Sequence, residues 1–235
     1  MKELVLVIPV YNEEACIADV IESWLMKLAE LGIDFQMLIL NDGSRDGTAD
    51  ILKGYAANRN IEIVNKKNSG HGPTILSGYR RAVEMAEWVF QCDSDNEIQA
   101  AYFDRLWRNR GDYDALFGCR ENRDSGYDRG LITLISRIIV WVFFGSRVRD
   151  VNVPYRLMRS SLLREIVAVI PEDTLSPNLL IAGAFSRLPV RLANHPVPHV
   201  QRRTGVVSIR NWTLWRIALI SAWQTCRYRK LFETS

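Results

Sequence analysis

Short apolar runs alternate with helical patterns through the first 92 residues, and this limits the fold more than any other feature of the chain. Residues 3–10, 34–40, 61–65 and 88–92 read as buried strands. Between the first two, Ile17, Val20, Ile21, Trp24, Leu25 and Leu28 recur near the 3.6-residue period of an amphipathic helix over 13–31, and Gly32 stops it. Residues 48–58 and 73–86 read as two more helices. Such alternation predicts an α/β fold, a doubly wound and mostly parallel sheet with helices on both faces. Ligands of these sheets bind beyond the carboxyl ends of the strands. The polar clusters 11–13, 41–46 and 93–97 each follow a strand directly, so they are expected to converge on one edge.

Beyond residue 100 the pattern is less regular. It predicts a helix over 101–110, a short strand over 115–118, an apolar segment at 131–144 and a polar segment at 150–156. Helices near 160–169 and 178–186 and a strand over 190–198 follow. No internal repeat or linker interrupts them, so residues 1–210 are expected to form one domain and 211–235 a helical extension. A hydrophobic fraction of 48% with a net charge of +3 excludes a disordered chain. Cys16, Cys92, Cys119 and Cys226 are scattered without zinc-ligand spacing, and reduced thiols in a cytosolic protein are expected. The apolar run at 4–8 ends at Pro9 without a cleavage site, so no signal peptide is read there.

Three clusters carry candidate chemistry. Asp93-Ser94-Asp95 places two carboxylates one residue apart at a strand end, where they can share a hard divalent cation or simply form a solvated turn. Asp42-Gly43-Ser44-Arg45-Asp46-Gly47-Thr48 is a strand-to-helix turn whose glycines permit close approach of a ligand. Asn68-Ser69-Gly70-His71-Gly72-Pro73 opens a helix that can face a phosphate, although the phosphate-loop pattern ending in Gly-Lys-Ser/Thr is absent.

Val7-Ile8-Pro9-Val10-Tyr11-Asn12-Glu13-Glu14, the cluster 41–48, Asn68-x-Gly70-x-Gly72 and Asp93-Ser94-Asp95 together resemble the family 2 glycosyltransferases of the GT-A fold, in order and spacing. Gly118-Cys119-Arg120, the segment 150–156, Pro196-Val197-Pro198 and Arg202-Arg203-Thr204-Gly205 resemble the dolichyl-phosphate mannose synthase-like branch. Pro154 stands where that branch carries Gly, and Asn96-Glu97-Ile98 replaces its Asp-Leu-Gln.

The resemblance implies an inverting transferase that moves a sugar from a GDP- or UDP-linked donor to a polyprenyl phosphate. Pro9, Tyr11 and Glu13 would floor the nucleotide pocket, with Asp42 on the base and Ser94 also among the residues that bind the nucleotide sugar. Asp93 and Asp95 would bind Mg²⁺ or Mn²⁺. Arg202 would neutralise the leaving diphosphate, and Arg120 and Arg156 would clamp an acceptor phosphate, because the planar guanidinium pairs two phosphate oxygens. A hydroxyl acceptor would instead need a base, for which Glu172-Asp173 is the candidate.

Charge and tail composition bear on the partner. Residues 1–100 carry seven more acidic than basic side chains, and residues 200–235 six more basic than acidic. Trp212, Trp215, Leu219 and Trp223 share a helical stripe flanked by Arg210, Arg216, Arg227, Arg229 and Lys230. Tryptophan with basic residues is the composition of a helix lying on an anionic membrane surface. Peripheral attachment to the cytoplasmic face of a membrane is therefore expected, a membrane-protein partner is compatible with it, and no nucleic-acid recognition element is visible.

Overall fold

The computed structural model describes residues 1–121, 138, 141–142, 145, 147–198, 220–221 and 223–228. β1 (Lys2–Val10) is the spine of its sheet. Leu4, Leu6, Ile8 and Val10 point into one apolar layer, and Val5 and Val7 into the other. A strand covered on both faces has no use for polar alternation, which is why it reads as an unbroken apolar run.

β2 (Phe35–Asn41) and β4 (Ala86–Cys92) flank β1 in parallel, and β3 (Ile61–Asn65) lies outside β2. β5 (Ala115–Glu121), β6 (Tyr155–Arg159) and β7 (Leu192–Pro198) complete the order β3-β2-β1-β4-β6-β5-β7. β6 runs antiparallel to both neighbours, while β5 and β7 pair in parallel. The sheet is thus mostly parallel, as expected, with one reversed strand where the sequence reading had assigned no element type.

Helices cover both faces. α1 (Ile17–Glu30), α2 (Thr48–Lys53) and α4 (Phe103–Arg108) pack on one, and α3 (His71–Ala82), α5 (Ser160–Val169) and α6 (Pro177–Arg187) on the other. On the first face Trp24 meets Phe90 and Phe103 at centroid distances of 5.2 and 5.4 Å, and Tyr155 stands edge-on to Phe90 at 4.7 Å. Tilted and edge-on rings add attraction beyond their buried area.

α1 starts four residues later than the pattern from residue 13 predicts. The backbone N–H groups of Asn12, Glu13 and Glu14 donate instead to Ser44 Oγ, Thr48 Oγ1 and Asp46 Oδ2 across the cleft edge. Residues 220–221 and 223–228 are helical and rest on the body through polar side chains, with Ser221, Gln224 and Thr225 buried. The expected boundary between 210 and 211 lies outside the described residues, as do Trp212, Trp215 and Leu219.

Candidate active site

The carboxyl ends of β1, β2 and β4 and the loop after β3 meet in a cleft of about 330 Å³. Pro9, Tyr11, Glu13, Asp42, Asp93, Ser94 and Asp95 all line it, as the sequence predicts, with Asn68, Gly70, His71 and Thr74 on the facing wall. A parallel sheet leaves its strand tips and helix starts at this edge, so loops distant in sequence become neighbours.

The loops lock to one another through side chains. Asn12 Oδ1 accepts the Arg45 N–H at 2.8 Å, and Glu14 Oε2 accepts that of Gly47 at 2.6 Å. Asn12 adopts φ 55° and Asn96 φ 58°, left-handed conformations that asparagine tolerates better than most residues. Cys16 Sγ lies 3.2 Å from Glu13 Oε2 and 3.3 Å from the Ser94 carbonyl, which joins the first loop to the Asp93–Asp95 loop.

Asp42 is buried, and both of its oxygens hold the loop after β3. Oδ1 accepts Lys66 Nζ at 2.6 Å and the Ser69 N–H at 2.9 Å, while Oδ2 accepts the Gly70 N–H at 2.9 Å. Lys66 also donates to Thr74 Oγ1 at 3.1 Å. Gly43 completes the turn at φ 69°, where a Cβ would lie 2.9 Å from the Asn68 nitrogen. Asp42 therefore lines the cleft as expected and also organises the loop that brings Asn68 and Gly70 to it.

Asp93 sits at the end of β4. Burial pushes its carboxyl above the usual aspartate range, and Glu97 pushes the same way, while the His71 and Arg120 charges and a hydrogen bond from Gln91 partly offset this. A cation beside such a carboxylate relieves the cost of holding its charge. Asp95 Oδ1 accepts the Glu97 N–H at 3.1 Å, which sets the turn after it. These two hard oxygen donors suit Mg²⁺ or Mn²⁺. Among the described residues no three His, Cys, Asp or Glu side chains are placed to hold one metal ion by themselves, so the remaining coordination would fall to substrate oxygens and water.

The arginines fall differently from expectation. Arg120 is bound by Asp150 in a two-pronged pair of 2.8 and 3.0 Å, and its charge reaches Asp93. Arg156 does not line the cleft. It is fully buried, and its Nε, Nη1 and Nη2 donate to the carbonyls of Val153, Asn178 and Val151 at 2.7, 2.8 and 2.7 Å. Its expected role as a phosphate clamp is corrected by that geometry: the guanidinium ties the β6 loop to α6. Arg202 lies outside the described residues. Glu172 pairs with Arg80 at 3.2 Å beside Pro73, Leu76 and Ser77, and neither it nor Asp173 lines the cleft.

Four participants escaped the sequence reading. His71 was visible within the 68–73 cluster but had no partner to suggest a role. Thr74, Lys66 and Gln91 carry no motif signal: Thr74 meets nearby Lys66 and Ser69 through its side chain, while Lys66 and Gln91 are engaged by Asp42 and Asn178, 24 and 87 residues away.

Comparison with known proteins agrees with this layout. Residues 5–168 match the family model "Glycosyl transferase family 2". The undecaprenyl-phosphate 4-deoxy-4-formamido-L-arabinose transferase of Pseudomonas paraeruginosa is 27% identical over 213 residues, covering 87% of this chain and 61% of that protein. Its counterpart in Edwardsiella ictaluri is 26% identical, covering 85% and 60%. The chain thus spans about three fifths of the length of these curated relatives. Among solved structures, glucosyl-3-phosphoglycerate synthase from Mycobacterium tuberculosis with Mn²⁺, UDP and phosphoglyceric acid superposes with a TM-score of 0.71 at 18% identity, over 97% of this chain and 78% of that one. S. aureus TarS 1-349 with UDP gives 0.56 at 18%, over 98% and 70%. These likenesses establish the GT-A fold. With the family model covering residues 5–168 and the motifs gathered at one sheet edge, the chain belongs to glycosyl transferase family 2.

Proposed function

We propose that the protein is an inverting, metal-dependent glycosyltransferase that moves a sugar from a GDP- or UDP-linked donor to a polyprenyl phosphate at a membrane surface. The observation that carries this reading is the meeting of Asp93, Asp95, Asp42 and Tyr11 in one cleft. Pro9, Val10 and Tyr11 offer an apolar and aromatic wall for a nucleobase, and Asn68 and Asp42 offer polar groups beside it. Asp93 and Asp95 would hold Mg²⁺ or Mn²⁺ against the diphosphate, and Ser94 lies between them. The bound cation would neutralise the charge that grows on the leaving nucleoside diphosphate.

The residues of the chain supply position and charge. His71 opens α3 on the side of the cleft facing Asp93, and helix N-termini favour anions. An acceptor phosphate oxygen bonds the anomeric carbon from one face as the nucleoside diphosphate departs from the other, so configuration inverts. That phosphate is already ionised and needs no strong base. A hydroxyl acceptor is the second reading, and the exposed Arg80-paired placement of Glu172 speaks against it.

The names of the curated relatives support a polyprenyl-phosphate acceptor. Surface composition agrees: Ile138, Trp141, Val142, Ile220 and Trp223 are exposed, and Arg227 lies 5.0 Å over the Trp223 ring. No helix among the described residues is long and apolar enough to cross a membrane. In this reading these side chains and the basic tail would rest on the membrane surface. The decisive experiment is sugar transfer from a panel of GDP- and UDP-sugars to a short polyprenyl phosphate with Mn²⁺ or Mg²⁺ in detergent. One donor should give product, and Asp95→Asn should lower the rate by at least about a hundredfold. Metal-dependent nucleotide binding without transfer to any phosphate acceptor would move the acceptor assignment to a hydroxyl.

A further inference from the structure

Gln91 is the one uncharged polar side chain in the apolar centre of β4, between Phe90 and Cys92, and it is fully buried. In register it stands between Val7 of β1 and Arg156 of β6. A buried primary amide is costly unless both its ends are bonded. Here both are. Oε1 accepts the Tyr79 hydroxyl at 2.9 Å and the Asn178 amide at 3.3 Å, and Nε2 donates to Asp93 Oδ1 at 3.1 Å.

The two donors on one end decide the orientation of the amide. With Oε1 facing Tyr79 and Asn178, the N–H end must face Asp93. Tyr79 is itself fully buried, burial holds its hydroxyl well above its ordinary pKa, and so it stays a donor. Its single proton lies between Gln91 Oε1 and Asn178 Oδ1, 2.9 and 3.0 Å from its oxygen, so the two amides share one donor there. Asn178 is anchored by its own carbonyl, which accepts Arg156 Nη1 at 2.8 Å. The buried Arg156 thus braces the site from a distance, three hydrogen bonds from Asp93.

We infer that Gln91, held by Tyr79 and Asn178, is a positioning residue that fixes the plane of the Asp93 carboxylate for cation binding. The inference rests on the proposed metal-dependent reading of the cleft. A carboxylate with one oxygen pinned loses less freedom when a cation binds, and partners of this kind typically change metal affinity 10- to 100-fold, in order of magnitude about tenfold or more. The network spans β4, α3 and α6, so the metal site is braced by chain separated by 87 residues. A satisfied buried network is rigid, whereas an amide placed merely to fill space would need no carboxylate partner.

The test is Mn²⁺ affinity, measured by electron paramagnetic resonance with UDP and with GDP present, on the full chain and without any transfer reaction. Asp93→Asn should abolish tight Mn²⁺ binding. Gln91→Met, similar in volume and apolar, should weaken it by about tenfold, with nucleotide binding in EDTA near that of the parent and a melting temperature lowered by the lost partners of Asn178 and Asp93. Tyr79→Phe, which keeps the ring, should weaken it by about threefold. If Gln91→Met binds Mn²⁺ as tightly as the parent, the positioning role is wrong although the metal reading stands. If Gln91→Met does not fold, Tyr79→Phe decides: unchanged affinity overturns the role and weakened affinity supports it. If the parent fails to bind Mn²⁺, or Asp93→Asn binds it equally well, the metal reading fails and takes this inference with it.

Discussion

The Asp42 carboxylate is buried, and burial alone would raise its pKa. The Lys66 ammonium, the Ser69 N–H and Thr74 outweigh that, and the net shift is downward. A group more acidic when folded than unfolded stabilises the fold fully above its unfolded value, about 3.9, and loses that contribution as pH falls through the lower folded value. Lys66→Met removes the 2.6 Å ion pair and leaves a buried carboxylate without its cation. It should cost about 2 kcal/mol at pH 7 in urea denaturation, with the deficit shrinking toward pH 3, below the unfolded value of about 3.9, where the unfolded carboxylate takes up its proton and the contribution of the ion pair is being lost. Equal deficits at both pH values would show that the Asp42 charge is not the cause. The same variant should weaken nucleotide binding, because the loop that Asp42 organises carries Asn68 and Gly70 into the cleft.

At the scale of elements, legibility follows where the information lies. β3 and α5 have the limits the sequence predicts, because local apolar pattern and turn residues decide them. β6 went unrecognised since Tyr-Arg-Leu-Met-Arg carries two arginines, and a lone sequence gives no reason to bury either one. Arg156 is buried there because three carbonyls receive it, two from the loop just before it and one from Asn178, 22 residues on. The cleft residues within motifs were legible, whereas Lys66 and Gln91 matter through partners 24 and 87 residues away. Gly72 belongs to the same class. A Cβ at that position would strike the carbonyls of Thr174 and Leu175, which lie over the first turn of α3. Gly72→Ala should therefore destabilise the protein by about 2 kcal/mol, read as a lowered urea midpoint with unchanged slope. A neutral result would mean that the 174–175 backbone yields easily.

The whole molecule divides its charge, with an acidic half carrying the cleft and a basic end carrying tryptophan. On the proposed reading the acceptor would be a polyprenyl phosphate anchored in a membrane, and it would approach from the side of the protein that docks. Exposed Trp141, Val142 and Trp223 and the tail arginines suit an anionic surface. Sedimentation with vesicles should show binding to anionic lipid and weak binding to neutral lipid, falling as salt is raised from 50 to 500 mM, about a threefold reduction in screening length. Trp141→Ala with Trp223→Ala should reduce the bound fraction severalfold. Equal binding to neutral and anionic vesicles would remove charge from the account.

Gln224 bridges the Asp173 carbonyl and the Leu175 N–H at 3.2 and 2.9 Å, and Ser221 meets Ser176 at 2.7 Å. During synthesis the loops that line the cleft emerge within the first hundred residues, long before these contacts exist. Gln224 follows Leu175 by 49 positions, which a ribosome covers in roughly 3–10 s at about 5–20 residues per second. Through that interval the strip over α3 has no tail to fasten it. A nascent chain of this protein is therefore expected to engage nucleotide before its rim is closed, and a ribosome stalled between these two positions would display the cleft in that earlier form.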